Sequence, residues 1–232
     1  MQPGCVSRPR GRLSARSQAW LVIGGIIVYV AIDVLLKFLR PGYSLLYNAE
    51  SDYGRGPWFW VMDINFLLRC ALSLAACGTL RQSAIPDARA RGGLFLLATW
   101  AVCSGLLAFF ADDIEGSPLT ASGIVHLALA FIAFACVAIG TILISAGLRS
   151  DPQWQSAGDV LLAVAIAGAA AFLLLGTASG HRHAPGGLYE RIFLGLELLW
   201  IGLAAGYAAA RRPEAQSAGR LITSSAAPGS PG

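Results

Sequence analysis

Residues Ser122–Leu148 read SGIVHLALAFIAFACVAIGTILISAGL and contain no Asp, Glu, Lys or Arg. A bilayer core about 30 Å thick is crossed by about 20 mainly apolar residues rising about 1.5 Å each in a helix, so this run is long enough to span lipid. Outward from it the chain offers five further mainly apolar runs, three of them carrying a few charges: Ala19–Leu39, Trp58–Leu80, Leu94–Phe110, Val160–Leu175 and Leu188–Ala210. The third and fifth spans in chain order are short. Removing either would break the alternation of the connecting loops, so the expected fold is an all-α, polytopic six-helix transmembrane bundle over 18–210.

Composition agrees. The chain has 232 residues, 56% of them hydrophobic and 13% charged, whereas a soluble domain carries about 25% charged residues. That balance excludes a water-soluble globular domain and, being apolar, also excludes disorder for the chain as a whole. The net charge of +4 does not indicate nucleic acid, because the basic residues sit in short arginine runs beside apolar stretches.

Positively charged loops remain cytoplasmic. Arg8, Arg10, Arg12 and Arg16, then Arg81, Arg89 and Arg91, then Arg149, then Arg211, Arg212 and Arg220 fall on one side of a six-span chain. The other side holds few cations and the acids Glu50, Asp52, Asp112, Asp113 and Glu115. Both termini are therefore expected in the cytoplasm of a bacterial cell, with the protein in its inner membrane. Residues 1–17 read as a basic tail leading into an uncleaved anchor, and 211–232, rich in Pro, Ala, Ser and Gly, as a disordered cytoplasmic tail. Cys70, Cys77, Cys103 and Cys136 lie within spans and form no C-x-x-C pair, so neither a zinc knuckle nor a thioredoxin-like motif is expected.

Ionisable groups gather toward the outer side: Asp33, Asp63, Asn65 beside it, Asp112, Asp113, His126, His181, His183, Glu190 and Arg191. Charges inside a membrane are costly and generally face the bundle interior, which makes them functional candidates. Two lie deeper. Arg69 is about 16 Å past Trp58 along its helix and Glu197 about 13 Å past Leu188, so a buried Arg69–Glu197 pair is expected, with Asp63 or Asp33 as competing acids. The alternative is that each reaches water separately. Asp33 and Lys37 are spaced for a helical ion pair, Glu190 and Glu197 share one helix face, and Gly195, Gly202 and Gly206 permit a close helix approach.

The outer cluster supports three readings. In one it is a polar pocket without chemistry, or a network tying the loops together. In the second, Asp113, His126, His181 and His183 hold a zinc ion while Glu190, with Asp113, carries the catalysis of a lipid or amide hydrolase. In the third, Glu190 and Arg191 face a cavity that carries or senses a small ligand or lipid. Asp63, Asn65 and Arg191 are the candidate substrate contacts. Tyr43, Tyr47, Tyr53, Trp58, Phe59, Trp60 and Tyr189 read as an interfacial aromatic belt. Haem ligation lacks facing histidines within spans, and no G-x-S-x-G elbow is present.

Three stretches taken together resemble a known family. Ser51-Asp52-Tyr53-Gly54 with Gly56-Pro57 and Trp60-Val61-Met62, then Asp113, Gly116, Thr120, Gly123 and His126 with Phe131 and Phe134, then Gly187-Leu188-Tyr189-Glu190-Arg191 followed by Trp200, are similar in order and spacing to the bacterial and archaeal membrane family named domain of unknown function 998. The similarity runs from about Trp20 to Ala210. It implies a multi-pass membrane protein with an outward Asp, His and Glu-Arg signature, and no established reaction. Arg69 stands where the family tends to have a small residue, and Asp112 where Thr is more usual.

Overall fold

In lipid a backbone must satisfy its hydrogen bonds within itself, so long apolar segments become helices. The computed structural model describes residues 14–82, 87–114, 116–178 and 184–210. Within them lie six helices long and apolar enough to cross a membrane: α1 (Ala15–Leu39), α2 (Phe59–Gln82), α3 (Ala88–Leu106), α4 (Ala121–Arg149), α5 (Gln155–Ala178) and α6 (Gly186–Ala210). No strand occurs among the described residues. The basic tail and the 211–232 tail fall outside them, apart from the first residues of α1.

The helices are longer than the apolar runs that announced them. α3 begins at Ala88 because Asp87 caps it, accepting hydrogen bonds from the backbone N–H groups of Arg89 and Ala90 at 2.6 and 3.2 Å. α5 begins before Asp159, whose carboxylate meets Arg149 at 2.6 Å across the α4–α5 turn. Charged residues in a first or last turn extend into water while the backbone continues its helical ladder.

Each helix packs on its neighbours in sequence and α6 returns to α1, closing a ring; α2 and α4 also touch α6. The loops after α1, α3 and α5 consequently share one end of the bundle, called here the α1–α2 end. The tightest crossing is α3 on α4: a Cβ placed on Gly93 would stand 2.6 Å from the Gly140 carbonyl oxygen and 2.7 Å from Ile144 Cγ1. By contrast Gly195 and Gly206 face open space, and Gly202 meets only Ile26 Cδ1 at 3.2 Å. The expected close approach through the α6 glycines is therefore corrected to α3 and α4.

Trp100, Trp200, Phe193 and Leu97 are fully buried in the core. Both indoles donate across helix interfaces, Trp100 Nε1 to Ser73 Oγ at 3.1 Å and Trp200 Nε1 to Ser145 Oγ at 2.9 Å. Outside, Trp20, Phe38, Phe95, Phe131 and Leu173 present bare apolar surface, which a bilayer would cover.

Candidate functional site

At the α1–α2 end a cavity of about 570 Å³ lies between α2, α4, α5, α6 and the loop after α1. Its lining divides by chemistry. Glu50, Ser51, Asp112, His126, Glu190 and Arg69 supply the polar groups. Leu127, Phe131, Phe134, Phe172 and Leu175 supply an apolar, largely aromatic wall on α4 and α5. Phe134 contacts Phe172 and Phe193 edge-on, at 6.3 and 4.9 Å between centroids, which ties that wall to α6. Leu127 and Phe131 also stand exposed on the outer surface of the bundle, so the apolar side of the cavity reaches the face that lipid would cover.

Arg69 forms one wall. Met62, Phe66 and Arg69 recur at helical spacing, so one face of α2 lines the cavity. The guanidinium lies 4.8 Å from the Trp100 ring centroid, 5.2 Å from Phe66 and 5.9 Å from Tyr29. Its Nη1 donates to Tyr29 Oη at 3.2 Å, and the Tyr29 hydroxyl donates to Glu50 Oε1 in a short contact. Arg69, Tyr29 and Glu50 are all buried. The acid that answers Arg69 is therefore Glu50, through a tyrosine. The expected Arg69–Glu197 pair is not formed: among the described residues neither Glu197 carboxylate oxygen has a hydrogen-bond partner, and the side chain packs toward α5, where a Cβ on Gly168 would stand 2.6 Å from Oε1. Matching depth had placed the two charges at one level, but their helices turn them toward different neighbours.

His126 is held by a carbonyl. Its Nδ1 lies 2.7 Å from Phe110 O; a carbonyl only accepts, so Nδ1 carries the proton and donates. Nε2 has no hydrogen-bond partner and lies 3.9 Å from Asp112 Oδ2. Asp112 is placed in turn by Ser51 Oγ, which donates to Oδ2 at 3.1 Å, and by the Asp113 N–H, which donates to Oδ1 at 2.9 Å.

Asp113 turns away from this group. Thr120 donates to it twice, from N to Oδ2 at 2.7 Å and from Oγ1 to Oδ1 at 2.8 Å, while Thr120 Oγ1 accepts from Gly123 N at 3.1 Å as the α4 cap. Those two donors hold the Asp113 carboxyl below the usual carboxylate range. A Cβ on Gly123 would collide with the carboxylate. The Asp113, Thr120 and Gly123 pattern is thus a loop-and-cap device, and the carboxylate beside His126 belongs to Asp112. The expected grouping of Asp113 with His126, as catalytic residue or metal ligand, is not formed in this arrangement.

Arg191 is likewise a staple. Its Nη1 donates to the carbonyls of Asn48, Gly187 and Leu45 at 2.7, 3.0 and 3.3 Å, and Leu188 N donates to Leu46 O at 3.1 Å. Gly187 is glycine for a reason of space, since any Cβ there would overlap Asn48. Arg55 bonds both Asp52 Oδ1 and Asp113 O. Burial nevertheless pushes the Asp52 carboxyl up, with Arg55 opposing. Lys37 donates to Tyr43 O at 2.5 Å rather than pairing with Asp33, whose Oδ1 is buried without a partner.

Of the expected site residues, Glu190 and His126 line the cavity; Asp63, Asn65 and Arg191 do not. Asn65 is fully buried with neither amide atom hydrogen-bonded, and Asp63 is half-buried on α2. His181 and His183 lie outside the described residues, and among those described no three His, Cys, Asp or Glu side chains gather in a metal-binding group. Tyr29, Glu50 and Ser51 were not singled out as site residues. A tyrosine within an apolar span and an acid within a loop carry no spacing signal.

No curated protein and no solved structure matches the chain. The family model described as protein of unknown function (DUF998) matches residues 22–207, nearly the whole bundle, and the chain belongs to that family.

Proposed function

We propose that this integral membrane protein binds an amphiphile, with the polar headgroup among Glu50, Asp112, His126 and Glu190 and the apolar chain against Phe131, Phe134 and Phe172. The observation that carries this reading is the division of one cavity into a polar end and an aromatic side whose residues Leu127 and Phe131 also face the lipid surface. A ligand entering between α4 and α5 stays in contact with apolar surface throughout, while its headgroup exchanges interfacial water for buried carboxylates. The arginine distribution supports placing the polar end on the outer side of a bacterial inner membrane, with both termini cytoplasmic.

Photolabelling tests it. A twelve-carbon amphiphile with a diazirine in its chain should label the Leu127–Phe134 and Phe172–Gly176 segments, compete with unlabelled amphiphile, and lose that competition in Ala130→Trp, which fills the cavity. Labelling that no unlabelled amphiphile displaces would reject the reading.

One observation favours a second reading, hydrolysis of a bound lipid or amide. His126 is fixed with Nδ1 protonated and Nε2 unpartnered, and Glu190 lines the same cavity, an arrangement suited to a general base and an acid. Its zinc-dependent form draws on His181 and His183. Purified protein with about one zinc per chain, lost in His126→Ala, would support that form, and protein that folds and holds no zinc would remove it.

A further inference from the structure

We infer that the headgroup received by this cavity is an ammonium that still carries N–H bonds. The inference rests on the amphiphile reading and narrows it.

The argument is one of donors and acceptors. Among the described lining residues, Glu50, Asp112 and Glu190 are carboxylates, with Arg69 as the single guanidinium. Three carboxyl groups share one buried space, where burial and mutual repulsion disfavour ionising all of them, and Arg69 with the nearby Arg191 offsets only part of that penalty. A cation at the polar end offsets more. Of the donors already present, Arg69 Nε alone is buried without a hydrogen-bond partner among the described residues, and the others are committed. Ser51 Oγ donates to Asp112, Tyr29 Oη to Glu50, and Arg69 Nη1 to Tyr29, with the Arg69 guanidinium set among three aromatic rings.

Acceptors remain. His126 Nε2 has no hydrogen-bond partner among the described residues and stands 3.9 Å from Asp112 Oδ2; with Nδ1 donating to Phe110 O, the neutral ring presents an acceptor there. No hydrogen bond from a described residue reaches the Glu190 carboxylate, although Glu190 is 8% exposed. Glu50 Oε1 takes the Tyr29 hydroxyl, and no donor from a described residue reaches Oε2. An anionic headgroup would meet three carboxyl groups against one guanidinium, and a hydroxyl would bring one donor and no charge. A primary ammonium brings both a positive charge and three donors, the complement of this set.

The experiment uses the full chain in phosphatidylcholine nanodiscs and radiolabelled dodecylamine, which like a lysine side chain is protonated at pH 7. Empty nanodiscs supply the partition background. Dodecylamine should bind saturably, and dodecanol, dodecyltrimethylammonium and dodecyl phosphate should each displace it at least tenfold less well than unlabelled dodecylamine. Glu190→Gln and Glu50→Gln should each weaken binding about tenfold. If either variant fails to fold, the headgroup series on the wild-type chain still decides. Displacement by dodecanol or dodecyl phosphate as effective as by dodecylamine would overturn the ammonium inference and leave the cavity as an amphiphile site. Equal displacement by the trimethyl compound would overturn the requirement for N–H donors. If none of the four binds saturably, the amphiphile reading itself fails.

Discussion

Asp113 lies at an edge where protonation has a readable consequence. Its carboxyl is held below the ordinary range by two Thr120 donors, so the folded state binds a proton there less readily than the unfolded chain does. The stability this contributes is fully present above the unfolded value of about 3.9 and is lost as pH falls through the lower folded value. Asp113→Asn keeps one acceptor and has no charge to titrate. Its unfolding temperature in detergent should be below wild type at neutral pH, and the gap should narrow between roughly pH 5 and pH 3; a gap that widens with acid would contradict the capping role. The neighbouring residues show what a sequence can convey at this scale. That Asp113 and His126 belong together at one end was legible, as was the burial of Arg69 and Glu197. The partners were not. Position along a span gives depth but not rotation about the helix axis, and it says nothing of loops that fold into the bundle. Glu50 reaches Arg69 by the second route, and Glu197 misses it by the first.

At the scale of the element, small residues decide how near two helices come. Gly93 sits against the α4 backbone with no room for a methyl group, whereas Gly206 has nothing within 4 Å. Gly93→Ala should destabilise the fold by about 1–3 kcal/mol, the usual cost of overpacking. Gly206→Ala should be neutral or slightly stabilising, since alanine is the better helix former. Thermal unfolding of the two variants side by side is the check, and equal effects would refute the tight α3–α4 crossing. Six apolar runs announced six helices, and even the two short ones were real. Their ends were misread because a search for uncharged stretches stops at Arg89, Arg91 and Asp159, where the helical backbone continues. The glycine spacing on α6 was visible too, but a spacing does not say which face meets a neighbour.

For the whole molecule, the ring of helices with its loops at alternate ends fixes which segments share a side, and the arginine distribution proposes which side that is. Ser117 follows α3, and Pro152 lies between α4 and α5; both are exposed. In intact cells a membrane-impermeant maleimide should label Ser117→Cys directly and Pro152→Cys only after permeabilisation. The reverse pattern would invert the proposed orientation and turn the polar end of the cavity toward the cytoplasm. A polar cluster at one end was legible from leaflet assignment alone. That it borders a cavity with an aromatic side was not, because a cavity is a property of how helices lean together and no single span encodes it.

The cation sunk into α2 bears on how the protein is made. α2 is the least apolar of the six spans, and Arg69 sits near its middle, where a lone charge costs about 2.5–3.5 kcal/mol on insertion scales. The groups that relieve it come from both flanking segments, Tyr29 on α1 and Trp100 on α3. During synthesis α2 therefore lacks its full solvation until the third hydrophobic segment has left the ribosome. Expressed without α1 and α3, α2 should insert less completely than the three segments together, and Arg69→Leu should remove the difference.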